Sequence, residues 1–505
     1  MQVVWYKRDL RVEDHRPLVE AAVQGQVLCL YVYEPEIFEA AETRAMHAEF
    51  INESLLELRD TLRELGGDLT LRVGSMTEVL ESLHEQVPIS ALFSHRETGN
   101  AATYERDLRV ADWVRARGIP WHEYDQFGVV RRLKTRDGWA ARWNRRMSRE
   151  RLPAPETLST PAGFTEGHVR TAAELGLPGH HPDRQRGGMC EAKRTLDSFL
   201  AERGAGYRFD MSSPSRAWEG CSRLSPHLAY GTISLRTVYQ TTRARSAEVK
   251  ASRKSKAGLD PRWLQSLSSF QSRLRWHCHF MQKLEDEPEL EFHALNRALD
   301  GLRDADFRQD YYDAWVEGQT GYPLVDACMR ALHESGWINF RMRAMLMSFA
   351  SYHLWLPWRP TSLHLASTFL DFEPGIHFSQ AQMQSGVTGI NAVRIYSPVK
   401  QVLDQDPNGT FIRKYCPELV GVPDEHIAEP HKMTAEQQRQ AGCRVGKNYP
   451  SPIVDHPTAY GSARKRIYAA RKTPEARAES ARVYEKHGSR KRPRNRRKPT
   501  QSADD

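Results

Sequence analysis

A short run of small and hydroxyl-bearing residues, residues 220–226, has the composition of a phosphate-binding site. It reads Gly-Cys-Ser-Arg-Leu-Ser-Pro and stands immediately before a helical pattern over residues 227–239. Hydroxyls, backbone N–H groups and an arginine at a helix start can together bind a phosphate. The same residues could instead cap the helix, with Ser222 or Ser225 accepting hydrogen bonds from free amides. Taken alone, the run leaves both interpretations open.

The seven cysteines form a second group of reactive side chains, and their spacing argues against a metal centre. They are odd in number, lie far apart and include no CxxC pair. A zinc module or a disulfide framework normally shows close pairs of cysteines. We therefore expect free, mostly buried thiols and no metal. A cluster held by four distant cysteines is the alternative that the spacing leaves open.

Positive charge is concentrated at the carboxyl end. Residues 461–505 carry 15 Lys or Arg and 5 Asp or Glu, a net charge of +10, whereas residues 1–460 sum to −2. The high isoelectric point therefore does not by itself make the folded body a nucleic-acid-binding surface. We expect the basic tail to add non-specific contact with nucleic acid.

The chain has the features of a cytoplasmic protein with several domains. Its 505 residues exceed a single typical core, and the hydrophobic share of 40% is that of a globular protein. No uninterrupted apolar run reaches the roughly 18 residues of a membrane span, and Lys7 and Arg8 come too early for a secretion signal. We expect no membrane association.

Alternating strand and helix patterns over residues 1–130 predict an α/β domain at the front. Short β-branched or apolar runs predict strands at 3–6, 27–33, 69–73 and 90–93, and a periodic helix lies between the second and third. Strand, helix and strand in this order imply parallel β-α-β units. The front domain is therefore predicted to be a doubly wound, Rossmann-like parallel sheet.

The rest of the chain has a different pattern. Residues 131–190 are rich in Arg, Gly, Pro and His, which predicts a connecting segment, and residues 191–450 show helical periodicity throughout. Residues 451–505 are expected to be a basic, disordered tail, with a wholly polar run at 486–498. The chain is thus predicted to join an α/β domain to an all-α domain.

Longer motifs resemble the photolyase/cryptochrome family over residues 1–420. The run at 315–330 and Gly-Trp-Ile-Asn-Phe-Arg-Met-Arg at 336–343 are similar to the family's flavin-domain signature. Further similar segments occur in the family's order at 5–15, 222–225, 369–371, 394–398 and 411–419. The resemblance implies an α/β antenna domain followed by a helical domain that binds FAD.

The resemblance also assigns residues to the cofactor. Arg343 and Asp371 match a pair beside the flavin ring, where an arginine can stabilise a reduced, anionic flavin. A structural salt bridge is the alternative and is compatible with that role. The FAD-binding residues implied are Tyr207, Cys221, Ser222, Arg223, Leu224, Ser225, Arg343, Asp371, Phe372 and Glu373.

Photolyases of this family flip a pyrimidine dimer out of the duplex and split it with one electron from light-excited reduced flavin. Trp276 matches a tryptophan that stacks on the dimer, although it could also be a core aromatic of its helix. His277, Phe340 and Arg341 fall on the DNA-contacting side by the same resemblance. Catalytic roles are implied for Arg273, Trp276, Arg343 and Trp358.

Several positions depart from the family pattern. The catalytic Glu expected one turn before Trp276 is Arg273, which reverses the charge but could donate to a dimer radical anion or a phosphate. An Asn expected beside Arg341 is Phe340, and another near the flavin aligns with Gly375. Ser379 replaces the first tryptophan of the family's electron chain, whereas Trp358 matches the middle one. Trp355 and Trp358, three residues apart on one predicted helix face, are the best candidates for another electron path.

The loop at residues 97–100, Glu-Thr-Gly-Asn, lies where relatives contact a second, antenna chromophore of folate or deazaflavin type. Ordinary loop polarity would explain these residues equally well. The sequence therefore predicts a light-dependent, FAD-containing lyase that repairs ultraviolet-induced pyrimidine dimers in damaged DNA. A cryptochrome-type photoreceptor without repair activity is the rival, and a flavin-bearing DNA-binding module without photochemistry is a third class.

Overall fold

The computed structural model describes residues 1–177, 179, 181–254 and 260–488. Its front domain contains a five-stranded, wholly parallel sheet with the strand order β3-β2-β1-β4-β5. The strands are β1 (Gln2–Tyr6), β2 (Val27–Tyr33), β3 (Leu69–Val73), β4 (Ala91–Arg96) and β5 (Trp121–Asp125). The predicted doubly wound sheet is confirmed.

Helices cover both faces of this sheet, which explains why its central strands are uninterrupted apolar runs. The helices are α1 (Arg16–Val23), α2 (Pro35–Phe38), α3 (Ala45–Glu64), α4 (Met76–Gln86) and α5 (Ala101–Ala116). Leu18 of α1 and Leu58 of α3 pack on one face. Leu80 of α4 and Val110 of α5 pack on the other. Every residue of β1 and β2 is buried between these layers.

Strand β5 is absent from the sequence prediction. Its residues Trp-His-Glu-Tyr-Asp are all only partly buried, as expected at the edge of a sheet. It pairs with β4 alone, from Leu92 opposite Trp121 to Arg96 opposite Asp125. An edge strand without an apolar run gives no periodic signal, so the prediction missed it.

The connecting segment contains α6 (Trp139–Met147). Trp139 and Trp143 are buried in one core with Leu196 and Phe199 of the helical domain. This part of residues 131–190 is therefore packed structure rather than a bare linker.

The helical domain predicted over residues 191–450 is confirmed as mostly helical. Its helices are α7 (Met189–Ala201), α8 (Tyr207–Asp210), α9 (Pro214–Gly220), α10 (Ser225–Ala229), α11 (Leu235–Lys254), α12 (Trp263–Asp286), α13 (Gln309–Val316), α14 (Pro323–Ser335), α15 (Phe340–Ser348), α16 (Trp358–Thr368), α17 (Pro374–Ser385), α18 (Pro398–Gln405), α19 (Thr410–Tyr415) and α20 (Ala435–Gln440). A single large apolar core built mainly on α14 to α19 lies behind the candidate site.

The helical pattern predicted over residues 227–239 is in fact two helices, α10 and α11. The break contains Gly231, which has a φ of +66°. A Cβ there would lie 2.3 Å from the carbonyl oxygen of Arg8 in the front domain. The amide of Leu10 also donates to the Tyr230 carbonyl, so the chain turns here to let the two domains meet.

Trp355 and Trp358 do not share a helix face, contrary to the prediction from their spacing. Residues 349–353 form a π-helical turn, and Trp358 is the first residue of α16. Trp355 lies between the two with a φ of +52°. The Pro at 357 and the π-turn interrupt the helix that a spacing of three residues had suggested.

The expectation of disorder over residues 451–505 is wrong for residues 456–487. These form α21 (His456–Arg471) and α22 (Pro474–His487). Ala463, Ile467, Ala476 and Val483 are buried against the helical domain. These four apolar side chains are enough to hold the two helices on the domain because ion pairs supplement them. Residues 489–505 of the expected tail lie outside the described residues.

Within the described part of the chain, no helix combines the length and apolar character needed to cross a membrane.

Candidate active site

A cavity of about 320 Å³ in the helical domain collects most of the predicted site residues. Its walls come from α8 to α10, from α12, and from the stretch between α14 and α17. The predicted residues that line it are Tyr207, Cys221, Ser222, Arg223, Ser225, Arg273, Trp276, His277, Phe340, Arg343, Asp371, Phe372 and Glu373. Segments 170 residues apart in the sequence thus meet at one place.

Three predicted residues lie elsewhere. Leu224 is buried in an apolar core and does not line the cavity, because its side chain points away from its hydroxyl-bearing neighbours. Arg341 lines a neighbouring surface depression. Trp358 is buried in the large core behind the cavity.

Arg343 and Asp371 form a bidentate ion pair in the cavity wall. The two guanidinium nitrogens donate to the carboxylate oxygens at 2.8 and 3.0 Å, and Nε donates to the Ile338 carbonyl at 2.8 Å. Burial opposes ionisation of Asp371, but Arg343 and a hydrogen bond from Ser225 bring its pKa below the usual value. The pair therefore fixes the Arg343 guanidinium in the cavity wall, with its charge balanced by Asp371.

Arg223 is held between two indole rings. Its guanidinium carbon lies 3.8 Å from the ring centre of Trp218 and 3.9 Å from that of Trp337. Nε donates to Gln185 at 3.0 Å, whereas the buried Nη1 has no partner among the described residues. Burial lowers the pKa of Arg223 to about 9, so the group is still charged at neutral pH. Its backbone φ of +60° marks a strained position.

The hydroxyls of the 220–226 run do not cap a helix. The residue at the cap of α10 is Leu224, and no side-chain hydrogen bond caps this helix. The Ser222 hydroxyl accepts from the Leu224 amide at 3.4 Å, and Ser225 reaches Asp371. The capping interpretation is wrong, and the run is left facing the cavity. Because α10 has only five residues, its dipole adds little to anion binding.

The mouth of the cavity is formed by two aromatic side chains with an arginine against them. Trp276 and Phe340 are each 42% exposed. The Arg273 guanidinium lies 5.5 Å from the ring centre of Trp276 and 5.6 Å from that of Phe340. No carboxylate of the described residues pairs with Arg273. The mouth thus offers flat apolar surface together with an uncompensated positive charge.

His277 and Glu373 lie deeper: His277 is neutral at pH 7, and Glu373 changes its protonation state close to pH 7. Burial lowers the pKa of His277 to about 4, and its ring packs on Phe127 at 5.1 Å. Burial raises the pKa of Glu373 to about 7, although Arg8 at 3.9 Å partly opposes this shift. Glu373 is therefore a protonatable group in the cavity wall.

The sequence prediction missed several polar residues that line the cavity. Asn339 and Gln380 each have a buried side-chain oxygen without a hydrogen-bond partner among the described residues. His377 and Gln384 also line the cavity, as does Trp337. Asn339 and Trp337 lie inside the motif at 336–343, so that motif was the one signal that could have found them.

A second, smaller cavity of about 120 Å³ lies where the front domain meets the helical domain. Glu97, Gly99 and Asn100 of the predicted antenna loop line it, whereas Thr98 instead donates to Glu285. Glu34, Glu36 and Glu42 add further carboxyl groups. Phe372 lines both cavities.

All three cations of the second cavity are engaged. Arg106 pairs with Glu34, Glu97 and Asp107 at 2.6 to 3.0 Å, and Lys7 pairs with Asp107 at 3.1 Å. Arg8 donates to the carbonyls of Ala229 and Phe372. Burial alone would lower the pKa of Arg106, but its three carboxylates raise it.

Comparison with known proteins assigns both parts of the chain. Residues 2–152 match the family model described as DNA photolyase, and residues 270–469 match the one described as the FAD binding domain of DNA photolyase. The chain belongs to the photolyase/cryptochrome family. Residues 270–469 are therefore an FAD-binding domain, and the cavity residues from Arg273 to Gln384 lie within this matched range.

Relatives of this family fall in both functional branches. A deoxyribodipyrimidine photo-lyase of Alkalihalophilus pseudofirmus is 27% identical over 490 residues, covering 90% of this chain and 95% of the relative. A cryptochrome DASH of Gloeobacter violaceus is 28% identical, covering 90% and 93%. A solved class III photolyase from Agrobacterium tumefaciens superposes with a TM-score of 0.82 at 26% identity, covering 94% of this chain and 98% of the other.

The cavity has the donors and acceptors that FAD requires. The unpartnered Nη1 of Arg223 fits a phosphate oxygen, and the unpartnered oxygens of Asn339 and Gln380 fit N–H donors of a ring or sugar hydroxyls. Asp371 balances the charge of Arg343 and holds its guanidinium in the cavity wall, where it can face a flavin ring. The residues present thus fit this cofactor.

Proposed function

We propose that this protein is an FAD-dependent, light-driven lyase that splits ultraviolet-induced pyrimidine dimers in DNA. The observation that carries the proposal is the cavity mouth, where Trp276, Phe340 and Arg273 surround the way to the buried Arg343–Asp371 pair. A flipped-out dimer has apolar ring faces and is flanked by phosphates, and this mouth is complementary to both properties.

The chemistry that bound, reduced FAD would supply on absorbing light is one electron, lent to the dimer to open the cyclobutane ring and returned to the flavin once the ring has split. The protein's own residues bind and orient. Trp276 offers its exposed face for stacking, and Arg273 donates hydrogen bonds to a dimer carbonyl or a flanking phosphate. Arg223 and the 220–226 run hold the cofactor's phosphates, and Arg343 holds positive charge beside the ring. His277 lines the pocket as a neutral side chain.

A repair assay under light tests this function. Defined oligonucleotides with one cyclobutane dimer or one six-four lesion are illuminated with the purified protein, and a dark sample serves as control. We expect light-dependent repair, which Trp276→Ala reduces without loss of bound FAD. The proposal would be contradicted if protein that carries FAD and binds DNA repaired neither lesion.

The competing function is that of a blue-light photoreceptor. Arg273 stands where the resemblance expects a catalytic Glu, and this favours the photoreceptor. Arg273→Glu separates the two functions. If the parent lacks repair and the variant gains it, the natural arginine marks a protein that senses light and does not repair DNA.

We also propose that the second cavity takes an antenna chromophore. Support comes from its position at the domain junction and from Phe372, which lines both cavities. Since its cations already have partners, the chromophore class that fits is one whose uncharged ring enters and whose anionic groups stay outside. Extraction of the purified protein with acid, followed by chromatography, would show a second pigment beside FAD.

A further inference from the structure

Helix α21 presents a regular row of exposed basic and aromatic side chains. Tyr460, Arg464, Tyr468 and Lys472 follow one another at intervals of four residues, and Lys465 stands beside them. At 1.5 Å per residue the row is about 18 Å long, roughly the length of five base pairs. Tyr460 and Tyr468 are 36% and 44% exposed.

The orientation of this row is fixed by the opposite face of the helix. Ala463 and Ile467 are buried against Tyr352 and Trp355. Arg466 stacks on Trp355, with its guanidinium carbon 4.1 Å from the ring centre, and pairs with Asp306. These contacts are one-sided, so the row of Tyr460 to Lys472 must face away from the domain.

The α21 row lines one surface depression, and a neighbouring basic depression joins this row to the mouth of the FAD cavity. Arg341, Arg394, Tyr396, Lys400 and Tyr460 line it, and Tyr460 also lines the depression formed by the α21 row. Arg341 follows Phe340, which forms the cavity mouth. The amide of Tyr396 donates to the Ser348 hydroxyl at 3.1 Å, which fixes this segment at the end of α15.

The two depressions together form a groove, and the charged side chains that line it are all positive. Among the described residues that line the two depressions there are six lysines or arginines and no Asp or Glu. Arg464, Lys465 and Lys472 have no ion-pair partner in the described part of the chain. Lys400 alone has a carboxylate beside it, Asp404 at 3.0 Å. A groove of unpaired cations interleaved with exposed aromatics is complementary to a nucleic-acid backbone with bases stacked along it.

We infer that the DNA path extends from the cavity mouth along α21, and that the α21 row binds the strand flanking the lesion. This inference rests on the proposed function, since the damaged site must lie at the cavity for its flank to reach α21. It assigns the non-specific affinity expected of the basic C-terminal region to one defined helix face.

The test compares two triple variants that lose the same net charge. In the groove variant Arg464, Lys465 and Lys472 become Gln. In the control variant Arg145, Lys193 and Lys447 become Gln; these are exposed cations without an ion pair among the described residues, and they line neither depression. Affinity for undamaged duplex and single-stranded DNA is measured in the dark by fluorescence anisotropy at several salt concentrations, using the full-length protein with FAD bound.

We expect the groove variant to bind DNA about tenfold more weakly, with a slope of log affinity against log salt that is smaller by about 2 to 3. The control variant should keep the parent's slope within about 1. Tyr468→Ala should weaken single-stranded DNA binding about fivefold or more, because a stacking platform is lost. Bound FAD should be unchanged in all variants.

The possible failures are distinguishable. If the parent binds DNA and the groove variant keeps its slope, the inference is wrong while the proposed function stands. If both triple variants lose affinity equally, net charge and not this groove governs binding, and the inference is again wrong. If the parent does not bind DNA even at low salt, the proposed function itself fails. Stronger binding of the parent to polyglutamate than to DNA would instead assign the groove to an acidic protein partner.

Discussion

The two cavities of this molecule place arginines in opposite electrostatic settings. In the FAD cavity, Arg223 and Arg273 have no ion pair among the described residues, and Arg343 has one carboxylate partner. In the second cavity, Arg106 alone has three carboxylate partners. The first cavity therefore keeps positive charge for a ligand, and the second has already neutralised its own.

This difference separates binding from stability. An arginine without a carboxylate partner costs free energy to bury, and the Trp218 and Trp337 rings offset only part of that cost for Arg223. An arginine with several carboxylate partners, such as Arg106, joins α5 to the segments that follow β2 and β4. Mutations in the first cavity should thus change ligand binding, and equivalent mutations in the second should change folding.

The largest effect is expected for Arg106→Met. This substitution leaves Glu34, Glu97 and Asp107 buried with one counter-charge fewer, so we expect a loss of about 4 kcal/mol in the free energy of unfolding. Urea denaturation measures it. Arg16→Met is the matched control, because its pair with Glu20 is exposed and contributes about 0.5 kcal/mol or less. Equal losses in the two variants would break the comparison between the cavities.

The next effect concerns cofactor affinity. Arg223→Glu places a carboxylate against the phosphates, so we expect FAD to bind at least about 100-fold more weakly, or about 3 kcal/mol. Arg223→Lys keeps the charge but loses the stacked guanidinium and should bind FAD with intermediate affinity. Fluorescence titration of FAD into apoprotein measures both. Full FAD occupancy in Arg223→Glu would show that this arginine does not hold the phosphates.

A pH dependence sharpens the comparison further, because each cavity contains a carboxyl group whose pKa is raised. Burial raises the pKa of Glu373 to about 7, from 4.5. The folded state therefore binds this proton more tightly than the unfolded chain does. The resulting stability, about 3 kcal/mol, is fully present below pH 4.5 and is lost as pH rises through 7.

Glu373→Gln should flatten this part of the pH profile, when the free energy of unfolding of apoprotein is measured from pH 5 to pH 8. Burial likewise raises the pKa of Glu34 to about 7, but Glu34 also pairs with Arg106. Glu34→Gln should therefore flatten the same window and also lower stability above pH 7. Parallel profiles for the parent and Glu373→Gln would rule out Glu373 as the titrating group.

The smallest expected effect concerns electron transfer. Trp355 lies between two guanidinium groups, Arg303 at 4.5 Å and Arg466 at 4.1 Å, which oppose the positive charge of an oxidised indole. No such cation stacks on Trp358 among the described residues. We expect Trp358→Phe to slow photoreduction about tenfold, equivalent to about 1.4 kcal/mol. Trp355→Phe should slow it less than about twofold.

Transient absorption after a blue flash, in the presence of a thiol, measures this step and shows whether a tryptophan radical forms. Bound FAD must be equal in the parent and in both variants. Indistinguishable traces in all three proteins would exclude this route and assign photoreduction to other donors.

The sequence predicted the features that have a periodic or contiguous signal. The central strands were evident because both of their faces are buried, whereas β5 at the edge has no apolar run. The cavity residues of the 220–226 run and the Arg343–Asp371 pair were found through motifs. Asn339 lies inside the motif at 336–343 but was not singled out. Gln380 was missed because a buried amide on a helix leaves no pattern of its own. Arg223 stacks between Trp218 and Trp337, which are more than 100 positions apart in the sequence, so only the fold could reveal this contact.

Helices α21 and α22 were missed because their apolar residues are few and widely spaced. The way in which α22 is attached to the helical domain has a consequence for local unfolding. The single carboxylate of Glu287 faces Arg482, Lys486 and His487 of α22, at 2.8 to 3.4 Å. Burial opposes its ionisation, but hydrogen bonds from His487 and Arg482 and the charge of Lys486 hold the pKa of Glu287 well below its usual range. Acid that protonates Glu287 removes the one negative charge that Arg482, Lys486 and His487 share at the end of α22. We therefore expect α22 to open locally as acid is added, with its amide hydrogens exchanging with solvent before those of the FAD-binding core.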